Sequence, residues 1–185
     1  MDEQKQRYGL THPQQRIWYT ERLHPGTGMW NNAGTLKIKG TLDYALLERA
    51  VNIFLRDNES ARIRIGVNDG VPYQYLAEYE TVKLDFVDFS GAGKKKLYEW
   101  DSIQTQTPMP LIDSRLYYFA LIKVSEDEGW LYGKFHHIIS DGLSLVDFCN
   151  QVIDSYDNML TGKEGQSVKL RSYIDFIQIE QEYLN

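Results

Sequence analysis

The sequence predicts a mixed α/β fold, of the α/β or α+β class, in which a mixed β-sheet is flanked by helices. Two observations support this prediction. Segments with apolar residues at three- and four-residue spacing, typical of amphipathic helices, occur between segments of alternating polarity, typical of strands. These segments do not follow a strict strand–helix–strand alternation, so a purely parallel sheet is not expected.

Helical periodicity is clearest in residues 43–56, where Leu47, Val51 and Phe54 form part of one apolar stripe. Thr11 stands before the first helical segment as a predicted N-cap, and the Thr-Pro run from Thr107 ends the third. The helices are predicted at 14–23, 43–56, 93–106, 143–160 and 173–184.

Alternating polarity and turn residues predict the strands. Asn68, Asp69 and Gly70 form a strong turn signal between two alternating segments, which predicts a hairpin. The charged loop 125–128 separates a second pair in the same way, and 162–167 reads as a linker. The strands are predicted at 34–39, 62–67, 71–76, 82–89, 115–124 and 129–137.

Composition limits the classes of function. The chain has 185 residues, of which 42% are hydrophobic, and this predicts one domain with its own core. Its formal net charge of −6 excludes a fold-wide basic surface for nucleic acid. No apolar run reaches the ~18 residues of a membrane helix, and the only cysteine, Cys149, favours a reducing, cytoplasmic location.

The segment 135–142 is the most informative for chemistry, because it joins a strand to a helix. Successive strand residues point to opposite faces, so only one of His136 and His137 is expected to face a site while the other packs. Asp141 follows the strand and can turn back under that site. Gly142 permits a positive φ or a close approach of ligand to backbone. An imidazole in this position can accept a proton from a nucleophile.

Three other interpretations of these residues are possible. Paired histidines often serve only as core or surface residues. A metal site would need a third ligand, and His12 and His24 lie in unrelated loops, so no metal is predicted. A serine hydrolase would need Ser140 or Ser144 in a G-x-S-x-G turn, and the sequence has no such turn there.

Residues 136–142 resemble the H-H-x-x-x-D-G motif of nonribosomal peptide synthetase condensation domains, in the chloramphenicol acetyltransferase-like superfamily. Two further segments match in the expected order. Residues 10–18 resemble the opening S-x-A-Q-x-R-x-W motif, and residues 58–65 resemble R-H-E-x-L-R-T-x-F. Arg62 falls on the second arginine of that motif, whereas Asp57 replaces the first.

The resemblance implies that residues 1–185 are the N-terminal lobe of a condensation domain, with a chloramphenicol acetyltransferase-like fold. A complete domain of this family has two such lobes, with the active-site tunnel between them. The motifs of the second lobe are not present in this sequence. The resemblance therefore implies an incomplete site, an exposed apolar face where the C-terminal lobe belongs, and an isolated chain that is inactive and self-associates.

The implied reaction is amide-bond formation between a fatty acyl or peptidyl thioester and an aminoacyl acceptor in lipopeptide or other nonribosomal peptide synthesis. His137 would be the catalytic residue, as a base or as a positioning group. His136 is assigned a structural role. Asp141 would pair with Arg62 or with Arg16, and Gly142 would shape the turn or donate its N–H to the oxyanion.

The resemblance implies no intrinsic cofactor. Substrates would be tethered to phosphopantetheine on carrier proteins or linked to CoA. The partners would be the C-terminal lobe, the carrier proteins and the acyl donor thioester, without nucleic acid or membrane. If Met1 is the natural start, the domain would open its synthetase and resemble a starter condensation domain.

Two rival functions are also compatible with the sequence. The first is a stand-alone CoA-dependent acyltransferase of the same superfamily. The second is a non-catalytic module that binds a carrier protein. The aromatic residues Trp18, Tyr19 and Trp30 are additional candidates for lining a channel, although aromatic side chains usually pack in cores.

Overall fold

The computed structural model describes residues 6–163 and 172–183. Within them the helices are α1 (His12–Leu23), α2 (Tyr44–Asp57), α3 (Gly93–Gln106), α4 (Gly142–Leu160) and α5 (Tyr173–Tyr183). The strands are β1 (Tyr8–Gly9), β2 (Asn31–Lys39), β3 (Ile63–Asn68), β4 (Val71–Leu76), β5 (Asp85–Asp88), β6 (Tyr117–Lys123) and β7 (Glu128–His136). The predicted helices are confirmed with small shifts at their ends. Most of the predicted linker 162–167 lies outside the described residues.

The strands of the described chain form two sheets. The larger sheet has the order β2-β7-β6-β5, and only β5 and β6 pair in parallel. The smaller sheet has the order β1-β4-β3 and is antiparallel. The mixed α/β class is confirmed, but the sequence did not predict this division into two sheets.

The predicted β3–β4 hairpin is confirmed, and in its register Asn68 lies opposite Val71. Asp69 and Gly70 connect the two strands with φ values of 49° and 81°. Positive φ at both loop positions is the geometry that Asp-Gly favours, because it matches the twist of the strands. The hairpin also forms one wall of a cavity.

The β7 strand lies inside the larger sheet, and each of its faces packs against helices. On one face Phe135 packs with Phe54 of α2 and Phe148 of α4, with ring centroids 6.2 Å and 5.4 Å away respectively. On the other face Trp130 and Tyr132 pack in a second cluster with residues that include Leu97 of α3. Packing on both faces holds the C-terminal end of β7 rigidly in place.

The predicted strand 82–89 is shorter than expected, since only Asp85–Asp88 pairs with β6. Before Asp85, side chains of α2 make the hydrogen bonds with the backbone that a neighbouring strand would otherwise make. Asn52 accepts from the Val82 N–H at 2.7 Å and donates to its carbonyl at 2.9 Å. Glu48 accepts from the Leu84 N–H at 3.0 Å. These contacts satisfy the N–H and C=O groups of the backbone where no neighbouring strand pairs with it.

No helix in the described part of the chain is long and apolar enough to cross a membrane.

Candidate active site at the end of β7

A short connection, residues 137–141, joins the end of β7 to the start of α4. Its backbone is tied to neighbouring segments at both ends. The His137 N–H donates to the Trp30 carbonyl at 2.7 Å, just before β2. The Asn32 side chain donates to the Asp141 carbonyl at 2.6 Å. The edge strand β2 and the residue before it therefore hold both ends of the connection.

His136 is a buried, neutral support for this connection. Its side chain is only 2% exposed, and its Nδ1 accepts from the Ile138 N–H at 3.1 Å. Burial, followed by the charge of His137, lowers the pKa of His136 to about 4. An imidazole with this pKa is neutral at physiological pH, which keeps Nδ1 available as an acceptor.

His137 lies on the opposite side, where its side chain is exposed. Its ring meets the Trp30 indole edge-on, with centroids 5.9 Å apart and planes at 84°. Edge-to-face packing of this kind fixes the plane of a ring without covering its edge. Of the two histidines, His137 is the one that an external substrate can reach.

Asp141 is the N-cap of α4. Its carboxylate accepts from the Ser144 N–H and from the Ser144 hydroxyl, both at 2.8 Å, while the Asp141 N–H donates to the same hydroxyl at 3.0 Å. These hydrogen bonds from Ser144 hold the pKa of Asp141 below its ordinary value, and the charge of His137 contributes in the same direction. Asp141 therefore fixes the start of the helix that follows His137.

The predicted partner of Asp141 needs correction. No ion pair between Asp141 and either Arg62 or Arg16 occurs among the described residues. Arg62 instead donates from Nη1 to the Ala77 carbonyl at 3.0 Å, and Arg16 is exposed on α1. The capping bonds to Ser144 already satisfy the carboxylate, so an arginine is not needed to hold it.

Gly142 is the first residue of α4 and does not have the positive φ that the sequence suggested. A Cβ added to Gly142 would meet nothing within 4 Å, because the residue borders open space. The turn itself therefore does not require glycine. A substrate approaching His137 can come close to this backbone, and the first N–H groups of a helix attract developing negative charge.

The serine and metal interpretations gain no support from the geometry. The Ser144 hydroxyl is bonded to Asp141, and the Ser140 hydroxyl donates to the His136 carbonyl at 3.1 Å. Both serines are thus committed to shaping the backbone. Among residues 6–163 and 172–183, no three His, Cys, Asp or Glu side chains cluster as metal ligands would.

Apolar side chains are uncovered near His137. Leu143 and Val146 lie on one side of the first turns of α4 and are 72% and 54% exposed, and Met29, beside Trp30, is 54% exposed. Leu145, by contrast, points inward over Gly34 of β2. Large apolar side chains that are exposed close together along the chain are typical of a surface that another part of a protein covers.

Sequence reasoning missed two contributors to this site. Trp30 was considered only as a channel-lining residue, whereas it holds His137 through its carbonyl and its ring. Asn32 gave no sequence signal, because its role depends on the pairing of β2 with β7. Trp18 proves to be a core residue at 2% exposed, and Tyr19 is 60% exposed.

Comparison with known proteins agrees with this fold. The sequence model of the family described as "Condensation domain" matches residues 4–185, and the chain therefore belongs to the condensation-domain family. It is 36% identical over 181 residues to surfactin synthase subunit 1 of Bacillus subtilis (strain 168), covering 95% of this chain and 5% of that protein. It is 35% identical over 178 residues to a plipastatin synthase protein of the same organism, covering 96% and 7%.

Solved structures show the same fold. The starter condensation domain of rhizomide synthetase RzmA superposes with a TM-score of 0.90 at 21% identity, covering 97% of this chain and 44% of that chain. The first condensation domain of the CDA synthetase superposes with a TM-score of 0.85 at 24% identity, covering 96% and 45%. The chain thus spans less than half of each solved chain and a small share of each synthetase.

Proposed function

We propose that residues 1–185 are the N-terminal lobe of a condensation domain and supply the active-site histidine of an amide-forming acyltransferase. The reaction would belong to nonribosomal peptide synthesis, with a fatty acyl or peptidyl donor. The observation that carries this proposal is His137, exposed at the junction of β7 and α4 beside uncovered apolar side chains. Membership of the condensation-domain family supports the class of reaction.

In the proposed reaction the free amine of an aminoacyl acceptor attacks the carbonyl carbon of an acyl thioester. A C–N bond forms and a tetrahedral oxyanion develops. The oxyanion then collapses, the C–S bond breaks, and the thiol leaves with a proton while the nitrogen loses one. Atoms and charge balance without a metal or a redox cofactor in the scheme.

His137 has two possible tasks in this scheme. As a general base it takes the proton that the attacking nitrogen must lose. As a positioning group it holds the amine by a hydrogen bond, which suffices where the α-amine, of pKa about 8, is already partly neutral. Both tasks need a ring of fixed orientation, which the contact with Trp30 supplies.

The other residues of the H-H-x-x-x-D-G motif support the position of the His137 imidazole. His136 supports the connection from the buried side, and Asp141 fixes the start of α4. Gly142 leaves room at the helix N-terminus, where its N–H would donate to the oxyanion. None of these three needs to carry a proton.

The proposed partners follow from what this chain leaves uncovered. The C-terminal lobe of the same domain would cover Leu143 and Val146 and complete the tunnel. The known condensation-domain chains that match this one are more than twice as long, since it spans 44% of the first. Carrier proteins would present substrates on phosphopantetheine, with CoA thioesters as the alternative donors. A cytoplasmic location fits the free thiol of Cys149.

Amide formation by three preparations tests this function. These are the chain alone, the condensation domain that contains it, and that domain with His24→Ala as a control at an exposed histidine outside residues 136–142. We expect product from the domain and its control, and none from the chain alone. Turnover of a CoA thioester by the chain alone would favour a stand-alone acyltransferase. Absence of product from the domain, with carrier binding retained, would favour a non-catalytic module.

A further inference from the structure

A cavity of about 320 Å³ is lined by none of residues 136–144. The C-terminal end of α2, the β3–β4 hairpin and the start of β6 form its walls. Leu55, Tyr79 and Tyr117 supply apolar and aromatic surface. Its polar lining includes Arg62 and Arg64. A concave, partly apolar pocket with a few polar groups is the usual form of a small-ligand site.

The burial of Arg64 is the main observation about this cavity. Its side chain is only 8% exposed, and its Nη1 donates to the Ile63 carbonyl at 2.9 Å. The guanidinium lies over the Tyr117 ring, 5.6 Å from the centroid. No carboxylate pairs with it among the ion pairs of the described residues. The same Nη1 also donates to the Ala61 carbonyl at 3.4 Å, so carbonyl oxygens and an aromatic ring, and no carboxylate, surround this buried charge.

Arg62 adds an unsatisfied hydrogen-bond donor to the lining of the same cavity. Its Nη1 is bonded to the Ala77 carbonyl, but its Nε is buried without a hydrogen-bond partner within the described structure. A planar guanidinium donates most strongly to a carboxylate or phosphate oxygen. Two guanidinium groups therefore line one cavity, and one of them, on Arg62, keeps a buried donor without a partner within the described structure.

The acidic residues of the lining do not neutralise this inner pair. Glu80 bonds Arg115 at 3.2 Å, with side chains that are 76% and 48% exposed, so this pair lies toward solvent. Asp113, which accepts from the Tyr75 hydroxyl at 3.1 Å, is exposed, and so is Glu78, the third carboxylate of the lining. Carboxylates near solvent would repel a dianion more than a monoanion. The charge pattern thus favours one negative charge inside.

We propose that this cavity binds a small organic monocarboxylate, with its carboxylate on Arg64 and Arg62 and its apolar body against Leu55, Tyr79 and Tyr117. The ligand chemistry follows from the arrangement of a buried guanidinium without a carboxylate partner, an unsatisfied Arg62 donor, an acidic rim and aromatic walls. This assignment does not depend on the amide-forming function, because the two sites share no lining residue.

Calorimetric titration of the 185-residue chain tests the assignment with three probes of similar shape. Benzoate carries one negative charge, benzamide carries none, and phenyl phosphate carries up to two. We expect benzoate to bind, and both of the other probes to bind at least about tenfold more weakly, because the neutral amide loses the charged hydrogen bonds and the acidic rim repels the dianion. Equal binding of benzamide would overturn the proposal. Tighter binding of phenyl phosphate would also contradict it.

Two variants of the cavity and one control variant test whether benzoate binds in this cavity. Arg64→Gln should weaken benzoate binding at least about tenfold. Arg56→Gln, an exposed arginine paired with Asp57 outside the cavity, should leave it unchanged. Ala77→Leu fills the cavity while keeping both arginines, and should also abolish binding, which decides the matter if Arg64→Gln does not fold. Unchanged benzoate binding in a folded Arg64→Gln or Ala77→Leu chain would refute the site.

Discussion

The His137 ring stands edge-on to the Trp30 indole at a centroid distance of 5.9 Å, and the His137 N–H donates to the Trp30 carbonyl at 2.7 Å. One residue at the start of β2 thus fixes both the backbone and the ring of the proposed active-site histidine. The indole Nε1 of Trp30 is buried and has no partner within the described structure. The function of Trp30 at this position therefore depends on its ring and not on its N–H.

Trp30→Phe and Trp30→Ala separate these contributions. Phenylalanine keeps an aromatic face and removes an unsatisfied donor, so activity of the domain should change by less than about threefold. Alanine leaves the His137 ring unsupported and should lower kcat by about three- to tenfold, with a smaller effect on KM, since an aromatic pair contributes about 0.5–1.5 kcal/mol. Steady-state kinetics of the domain measure both. Equal effects of the two variants would argue against a role for the ring.

Asp141 is predicted to act on stability through its capping hydrogen bonds. Asp141→Ala should lower the free energy of unfolding by about 1 kcal/mol, whereas Asp141→Asn, which still caps a helix, should have a much smaller effect. Asp43→Ala is the matched control for the loss of a helix cap, because Asp43 caps α2 by accepting from the Leu46 N–H at 3.0 Å. Urea unfolding of the chain provides the values. If the Asp141→Asn chain unfolds like wild type while the same substitution abolishes amide formation by the condensation domain, Asp141 has a chemical role beyond the cap.

The buried His136 predicts a loss of stability in acid. Its pKa is about 4 in the folded chain against an ordinary value of 6.5, so below pH 6.5 the unfolded chain binds a proton that the folded chain does not. This favours unfolding by about 1.4 kcal/mol per pH unit, or about 2 kcal/mol between pH 6.5 and 5. The effect levels off once the pH falls through the folded pKa.

Unfolding of wild type and His136→Gln at several pH values isolates this contribution, because all other groups are common to both. Glutamine can still accept from the Ile138 N–H, and it does not titrate. The variant should therefore show a shallower loss of stability between pH 6.5 and 5. Parallel pH profiles would mean that His136 is not held neutral by burial.

The uncovered apolar surface near His137 predicts self-association of the isolated chain. Replacing Leu143 and Val146 together with serine should reduce both the apparent mass by light scattering and the binding of a hydrophobic dye. Val71→Ser is the control, because Val71 is 65% exposed on the separate β3–β4 hairpin. A wild-type chain that is monomeric and binds no dye would contradict this prediction.

Local patterns predicted much of the fold because they depend on neighbours along the chain. The stripe through Leu47 and Val51 and the Asp69–Gly70 turn each report a local preference, and both elements formed as expected. The division into two sheets depends on which distant strands pair, and no local pattern encodes it. The loss of pairing at Val82 likewise depends on Asn52, which is 30 residues away in sequence.

The same distinction applies to the candidate site. Strand alternation correctly predicted that only one of His136 and His137 would be exposed. The motif also identified Asp141, but its partner is the nearby Ser144 and not a distant arginine. The spacing of a capping box could have indicated this, since Ser144 stands three residues after Asp141. The contact with Trp30 arises from tertiary packing, which periodicity does not report.

Single-turnover amide formation shows whether His137 acts at the reacting atoms, because it measures the chemical step itself. The donor thioester and the acceptor would be preloaded, and the rates of the condensation domain with and without His137→Ala compared, each with its folding verified. We expect a fall of about 10²- to 10⁴-fold in the rate of the chemical step, with donor binding retained. A rate within about threefold of wild type would contradict it.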